Sequence, residues 1–237
     1  MATTSAIMEN TVRIDPMDGR IGAMSATIAM PERAWGIVVF AHGGGNKFDV
    51  PRDRRLMDSL HDLGLATMLV DLYSSAEERV AKVTSKDRVD IALMADRLYV
   101  ATDWIAHHSS NQDLKIGYLG TGAGAAAALQ TAAERSDIAA VVSCNGLPAL
   151  AGNALCDVAA ATLLIVNEND MPVIEWNIPA YERLTRAYRR ELATVSDAPH
   201  EIAQLAGRWF LRYLGAAAAA NVQRNRMQRG TPTIKPR

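Results

Sequence analysis

Two cysteines, Cys144 and Cys156, are all that 237 residues contain, too few for a disulfide framework or a zinc cluster. No apolar run approaches the ~20 residues that span a bilayer, which excludes a transmembrane helix. Between Met1 and Glu9 no basic stretch precedes an apolar one, so no secretory signal is expected. No His, Cys, Asp or Glu cluster has metal-ligand spacing, and no internal repeat is visible. What is present is ordinary for a globular protein: 49% hydrophobic and 22% charged residues exclude wholesale disorder. The length suits one sizeable domain. A soluble, cytoplasmic chain without a cofactor is the expectation.

The net charge of −1 conceals an asymmetry. The stretch from Gly215 to Arg237 holds five basic residues (Arg224, Arg226, Arg229, Lys235, Arg237) and no acidic one. Subtracting those five from the 25 Lys and Arg leaves 20 against 26 acidic residues, or −6, for residues 1–214. The expected organisation is a mildly acidic domain over 1–214 and a basic, low-complexity tail over 215–237. A small-molecule ligand and self-association through the tail are the expected interactions. Neither a membrane nor nucleic acid is expected as a partner.

Short apolar runs alternate with helical patterns. Strands are expected at Asn10–Asp15, Ala23–Met30, Gly36–His42, Ala66–Leu72, Lys115–Gly120, Ile138–Cys144, Thr162–Asn167 and Glu191–Val195. Helices are expected at Pro51–Leu63, Asp87–His107, Gly122–Arg135, Glu175–Tyr188 and Pro199–Leu214. Two early strands followed by βα alternation read as a mostly parallel α/β sheet with an antiparallel start. Runs such as 36–41 and 162–166 are apolar throughout, as strands covered on both faces are.

Three features fall at strand C-terminal ends, where open α/β sheets place their sites. His42-Gly43-Gly44-Gly45 follows a strand; such a loop turns backbone N–H groups toward an anion or is simply a glycine-rich turn. Gly120-Thr121-Gly122-Ala123-Gly124 joins a strand to a small-residue helix, the framework of the Gly-x-Ser-x-Gly nucleophile elbow, with Gly122 at the central position. Read as Gly120-x-Gly122-x-x-Ala125, it also satisfies a dinucleotide fingerprint, although on about the fifth strand rather than the first. Asp170 and His200 then follow two later strands, in the elbow–acid–histidine order. Each also has an ordinary reading, Asp170 as a helix cap and His200 as the start of the last helix. His61 reads as a surface residue, and His107-His108 as a helix end whose dipole favours imidazole.

From about Gly36 to Leu214 the chain resembles the dienelactone hydrolase-like branch of the α/β-hydrolases. The segments that carry the likeness are Val38–Gly45, Gly64–Thr67 with Asp71-Leu72, Ala101–Trp104, Ile116–Gly120 running into the alanine helix, and Thr162–Val166. The resemblance implies an α/β-hydrolase fold, a mostly parallel, roughly eight-stranded sheet with helices on both faces, and an ester- or lactone-cleaving ancestry. It places Gly44 in the oxyanion loop, Asp170 on the triad acid and Gly122 on the nucleophile. Counting from the last strand puts His200 on the triad histidine; counting back from Trp209-Phe210 puts it inside the final helix. The candidate oxyanion or ligand-binding residues are His42, Gly43, Gly44, Gly45, Thr121 and Ala123. The Gly-x-Gly-Ala-Gly elbow is also similar to that of the NDR-type relatives, which are regarded as non-catalytic.

Acyl-enzyme hydrolysis needs a Ser or Cys side chain held against a base, and Gly122 has none. Thr121, Ser143 and Cys144 are the nearest substitutes; the Thr121 side chain is expected to point away, and a buried cysteine is an ordinary core residue. Three readings stand: a pseudo-hydrolase kept for binding or assembly; a slow hydrolase in which His200 and Asp170 activate water; and a domain docked through its basic tail.

Overall fold

The computed structural model describes residues 7–16, 21–32, 34–42, 51–72, 90–108, 114–196 and 199–215. Eight strands form one sheet: β1 (Ile7–Ile14), β2 (Met24–Pro31), β3 (Gly36–His42), β4 (Leu65–Val70), β5 (Lys115–Gly122), β6 (Ile138–Gly146), β7 (Ala161–Asn167) and β8 (Arg190–Val195). Their order is β1-β2-β4-β3-β5-β6-β7-β8. β1–β2 and β2–β4 are antiparallel and every other pair is parallel, as the early strands followed by βα alternation require. The described helices are α1 (Pro51–Asp62), α2 (Ile91–His107), α3 (Ala123–Glu134), α4 (Met171–Arg183) and α5 (Pro199–Leu214).

Alternating side chains of the central strands feed two cores. Ile37, Val39 and Ala41 of β3 join the face covered by α2 and α3. Val38 and Phe40 join the face packed by Leu56 and Leu60 of α1 and by Ile202, Ala206 and Phe210 of α5. Helices on both sides leave these strands no face for water, which is why they read as unbroken apolar runs. The alanine helix α3 is buried from Ala123 to Leu129. Alanine suits it twice, as the best helix former and as a side chain small enough for close packing.

Boundaries differ from the sequence reading in a few places. β5 and β6 run two residues further, to Gly122 and Gly146, before the chain turns. The helix expected at Glu175–Tyr188 instead spans Met171–Arg183, because Asp170 caps it and a proline sits in its first turn. Pro148–Asp157, assigned to no element from the sequence, is a 3-10 segment with a kink at Gly152. The first residues of the helix expected from Asp87 lie outside the described residues, and Asp90 caps the described part by accepting from the Leu93 amide.

Arg135, at the end of α3, ties this side together. Its guanidinium, only 8% exposed, pairs with Asp103 of α2 and at 2.6 Å with Asp137. It also lies 4.5 Å from the Tyr99 ring centre. The Arg135 hydrogen bond is the main cause of an Asp137 carboxyl held below its ordinary range. Both carboxylates are 44% exposed, so solvent screening limits the loss in an Arg135→Met variant to about 1–2 kcal/mol. A carboxyl with a lowered folded-state pKa stabilises above its unfolded value and loses that contribution as pH falls through the folded one. The gap between wild type and Arg135→Met in chemical denaturation is therefore expected to be full at pH 7 and to narrow below about pH 4.

Candidate functional site

At the C-terminal edge of the sheet, β3 and β5 lie side by side with His42 opposite Thr121. His42 Nδ1 is 3.0 Å from Thr121 Oγ1, so the Thr121 side chain, expected to point away, is engaged with the neighbouring strand end. One residue later the chain reverses into α3 at Gly122, with φ +52° and ψ −129°. This conformation is open to glycine and strained for any residue with a Cβ. A Cβ built there meets no heavy atom of the described residues within 4 Å. The backbone thus has the sharp strand-to-helix turn of a nucleophile elbow, with open space and no side chain to fill it. Ala123 begins α3, and no side chain caps the helix start.

The turn is held from below and from the side. Gly120 passes so close to α3 that a Cβ there would lie 2.4 Å from Ala125 Cα. The Gly122 carbonyl accepts from Leu147 N at 2.9 Å, which pins it to the segment after β6. Gly146, opposite Gly122, supplies a carbonyl for Asn177 Nδ2 of α4 at 3.2 Å, and the same amide group donates to Val173 O at 2.8 Å. Asn145, at φ +45°, accepts from the Asn167 amide at 2.9 Å and links the ends of β6 and β7. Sequence reasoning missed these asparagines. The Asn145-Gly146 pair at a strand end, typical of a tight turn, was the available signal. Behind the turn, Ser143 Oγ and Asn177 Oδ1 are buried without a hydrogen-bond partner among the described residues.

The acid and histidine candidates, Asp170 and His200, are both exposed. Asp170 is exposed and its carboxylate accepts from Val173 N at 3.3 Å, the ordinary cap reading. His200 is exposed in the first turn of α5, where counting back from Trp209-Phe210 puts it. No hydrogen bond or ion pair joins Asp170 to His200. Gly43, Gly44 and Gly45 lie outside the described residues. Cys144 is buried in the core under α5. No group of three or more His, Cys, Asp or Glu able to hold a metal occurs among the described residues, and none of their helices is long and apolar enough to cross a membrane.

The remaining histidines divide. His107 and His108 close α2 as the sequence suggests, their Nδ1 atoms 2.7 and 3.2 Å from the Asp103 and Trp104 carbonyls. His61 is not a simple surface residue. Its Nε2 lies 2.8 Å from Thr67 Oγ1 on β4, and burial lowers its pKa against the opposing pull of Asp58, Asp62 and Glu9.

The sequence pattern of the dienelactone hydrolase family matches residues 22–224. A solved dienelactone hydrolase from Anabaena variabilis is 40% identical and superposes with a TM-score of 0.79 over 88% of this chain and 99% of that one. Carboxyl esterase 2 from the fungus Tuber melanosporum, at 16% identity, has a TM-score of 0.68 over 90% of this chain and 89% of its own; this likeness is one of fold. A Mycobacterium tuberculosis protein that carries the name phosphoribosyl transferase is 39% identical over 197 residues, 79% of this chain. The chain spans only 43% of that relative's length.

Proposed function

The chain belongs to the dienelactone hydrolase family, and we propose that within it this protein has given up acyl-enzyme hydrolysis and keeps the scaffold for binding or assembly. One observation carries the reading: the strand-to-helix turn at Gly122 has the elbow's backbone and no side chain. Without a hydroxyl or thiol there is no atom to form the acyl bond, whatever base stands nearby. The exposed His200 and the helix-capping Asp170 support the same reading, since a general base needs a group to orient it. Water activation by His200 and Asp170, the alternative, needs the pair in hydrogen-bond contact. Thr121 beside His42 is the one hydroxyl–imidazole pair at this edge among the described residues. It sits on the strand before the turn, where it braces two strand ends. The mycobacterial transferase name belongs to a chain more than twice as long as the part matched, and its activity is not carried over to this one. Ester hydrolysis and active-site labelling test the reading.

Assembly is assigned to the basic stretch 215–237, of which 216–237 lie outside the described residues. Its five charges face a body of −6, and at physiological salt only contacts within a Debye length of about 8 Å survive screening. In light scattering, the full-length chain is expected to be larger than an Arg224→Gln/Arg226→Gln/Arg229→Gln variant at low salt, with the difference shrinking as salt rises. Equal masses at low salt would remove the tail from assembly.

A further inference from the structure

At the opposite edge of the sheet from Gly122 lies a concave groove of about 610 Å³. Its floor is made by the starts of β6 and β7 (Ile138, Ala160, Ala161) and its walls by Lys115, Tyr188, Arg189, Arg212 and Tyr213. The volume falls within the range of small-molecule sites. Three cations line it and no carboxylate does. None of the three makes an ion pair with any described residue. Asp137, next in sequence to lining residues Ser136 and Ile138, is committed to Arg135 at 2.6 Å. Glu191 lines a separate, smaller hollow of about 210 Å³ with Arg208, which shares only Arg212 with the groove. Arg212, in the last turn of α5, has an ordinary role against the helix dipole. Lys115 and Arg189, at strand starts, have no such role. In a body that is negative overall, three uncompensated cations around one hollow point to an anionic occupant.

The walls add a ring preference. Trp209 donates to Ala161 O at 3.2 Å and packs on Tyr213, with centroids 4.7 Å apart. The Arg212 guanidinium lies over the Tyr213 ring, 5.4 Å from its centre. Tyr188 meets Tyr213 edge-on at 6.2 Å and is otherwise 83% exposed, a ring presented to whatever enters. Aromatic faces beside guanidinium groups are the means by which proteins hold a planar ring and its phosphate together. We propose that this groove is a second ligand site, separate from the elbow, for a small phosphate-bearing molecule with a planar ring, of the nucleoside monophosphate class.

The test is calorimetric titration of the full-length protein at low salt with adenosine 5′-monophosphate, adenosine and inorganic phosphate. The monophosphate is expected to bind at least about tenfold more tightly than either fragment, the value of one charge-assisted hydrogen bond. Arg189→Gln is expected to weaken it about tenfold, and Arg189→Glu/Arg212→Glu to abolish measurable binding. Both side chains are exposed, so Arg189→Gln is expected to keep the wild-type unfolding midpoint, whereas the double variant is expected to lose a little stability because it puts a negative charge at the C-terminus of α5; should the double variant fail to fold, Arg189→Gln alone decides. Tyr188→Ala is expected to weaken the monophosphate and leave inorganic phosphate unchanged. The tail variant Arg224→Gln/Arg226→Gln/Arg229→Gln is expected to bind as wild type does. Absence of heat at millimolar monophosphate, adenosine binding as well as its phosphate, or a loss produced by the tail variant and not by Arg189→Gln would each overturn the proposal. Preference for single-stranded DNA over the monophosphate at equal phosphate concentration would also overturn it, in favour of a polyanion surface.

Discussion

Fluorophosphonate probes are expected to leave the wild-type chain unlabelled, and Gly122→Ser is expected not to restore labelling or aryl-ester hydrolysis. Removing a nucleophile or its histidine from an intact triad costs on the order of 10⁶ in kcat, because the two act as a unit. Gly122→Ser supplies only one member. A serine there would have room, since nothing described lies within 4 Å of its Cβ. It would also bear the strain of φ +52°, about 1–3 kcal/mol. The base it calls for is His200, which is exposed at the start of α5 and makes no hydrogen bond to Asp170. Turnover of Gly122→Ser is therefore expected to stay within about tenfold of Gly122→Ala, against the ~10⁶ that a working triad commands. A gain of more than about a hundredfold, or stoichiometric labelling of the introduced serine, would show that the loop before α5 brings a histidine to the turn and that only the nucleophile has been lost.

The legible parts of this molecule were those governed by burial. Runs such as Val38-Val39-Phe40 and Leu163-Leu164-Ile165 are apolar because helices cover both faces, and all five central strands were placed in parallel contact from that pattern. The turn at Gly122 was legible for a different reason: glycines at 120, 122 and 124 mark backbone that must pass close to other backbone or adopt positive φ. The helix after β7 was misplaced because Met171, Trp176 and Ile178, all exposed, contradict the apolar-inward period that locates a helix. The cap at Asp170 and the proline in the first turn mark its true start. The site itself was less legible than the fold. Whether Asp170 and His200 meet depends on tertiary placement, and neither residue's local sequence distinguishes a triad member from a cap or a first-turn histidine. The Asn145–Asn167 and Asn177–Gly146 links join residues 22 and 31 positions apart, beyond any periodicity argument.

Gly120→Ala is expected to be the most destabilising single-methyl change at this edge, and Gly146→Ala the most easily rescued. A Cβ at Gly120 would lie 2.4 Å from Ala125 Cα, 2.7 Å from Ala125 N and 2.9 Å from Gly124 C, all backbone atoms. Backbone cannot rotate out of the way, so β5 and α3 would have to separate. β5 is held between β3 and β6, and α3 packs against α2 and the 3-10 segment, so little relaxation is open to either. Overpacking costs about 1–3 kcal/mol when side chains can adjust; here the loss is expected to exceed about 3 kcal/mol, a large part of a typical domain's roughly 5–15. At Gly146 the added methyl would meet Ala125 Cβ and Ser143 Oγ, both at 2.4 Å. Those are side-chain atoms: the hydroxyl can turn, and the methyl can be deleted. In a double-mutant cycle by urea unfolding, Ala125→Gly is expected to recover much of the Gly146→Ala loss, after its own first-turn cost of at most about 1 kcal/mol, and none of the Gly120→Ala loss. Gly122→Ala, strained but unobstructed, is expected to fall below both, at about 1–3 kcal/mol. Equal losses at 120 and 122 would mean that close approach of strand and helix does not set the geometry of the turn. In that case the bare position at Gly122 could not be treated as a scaffold preserved around a missing side chain.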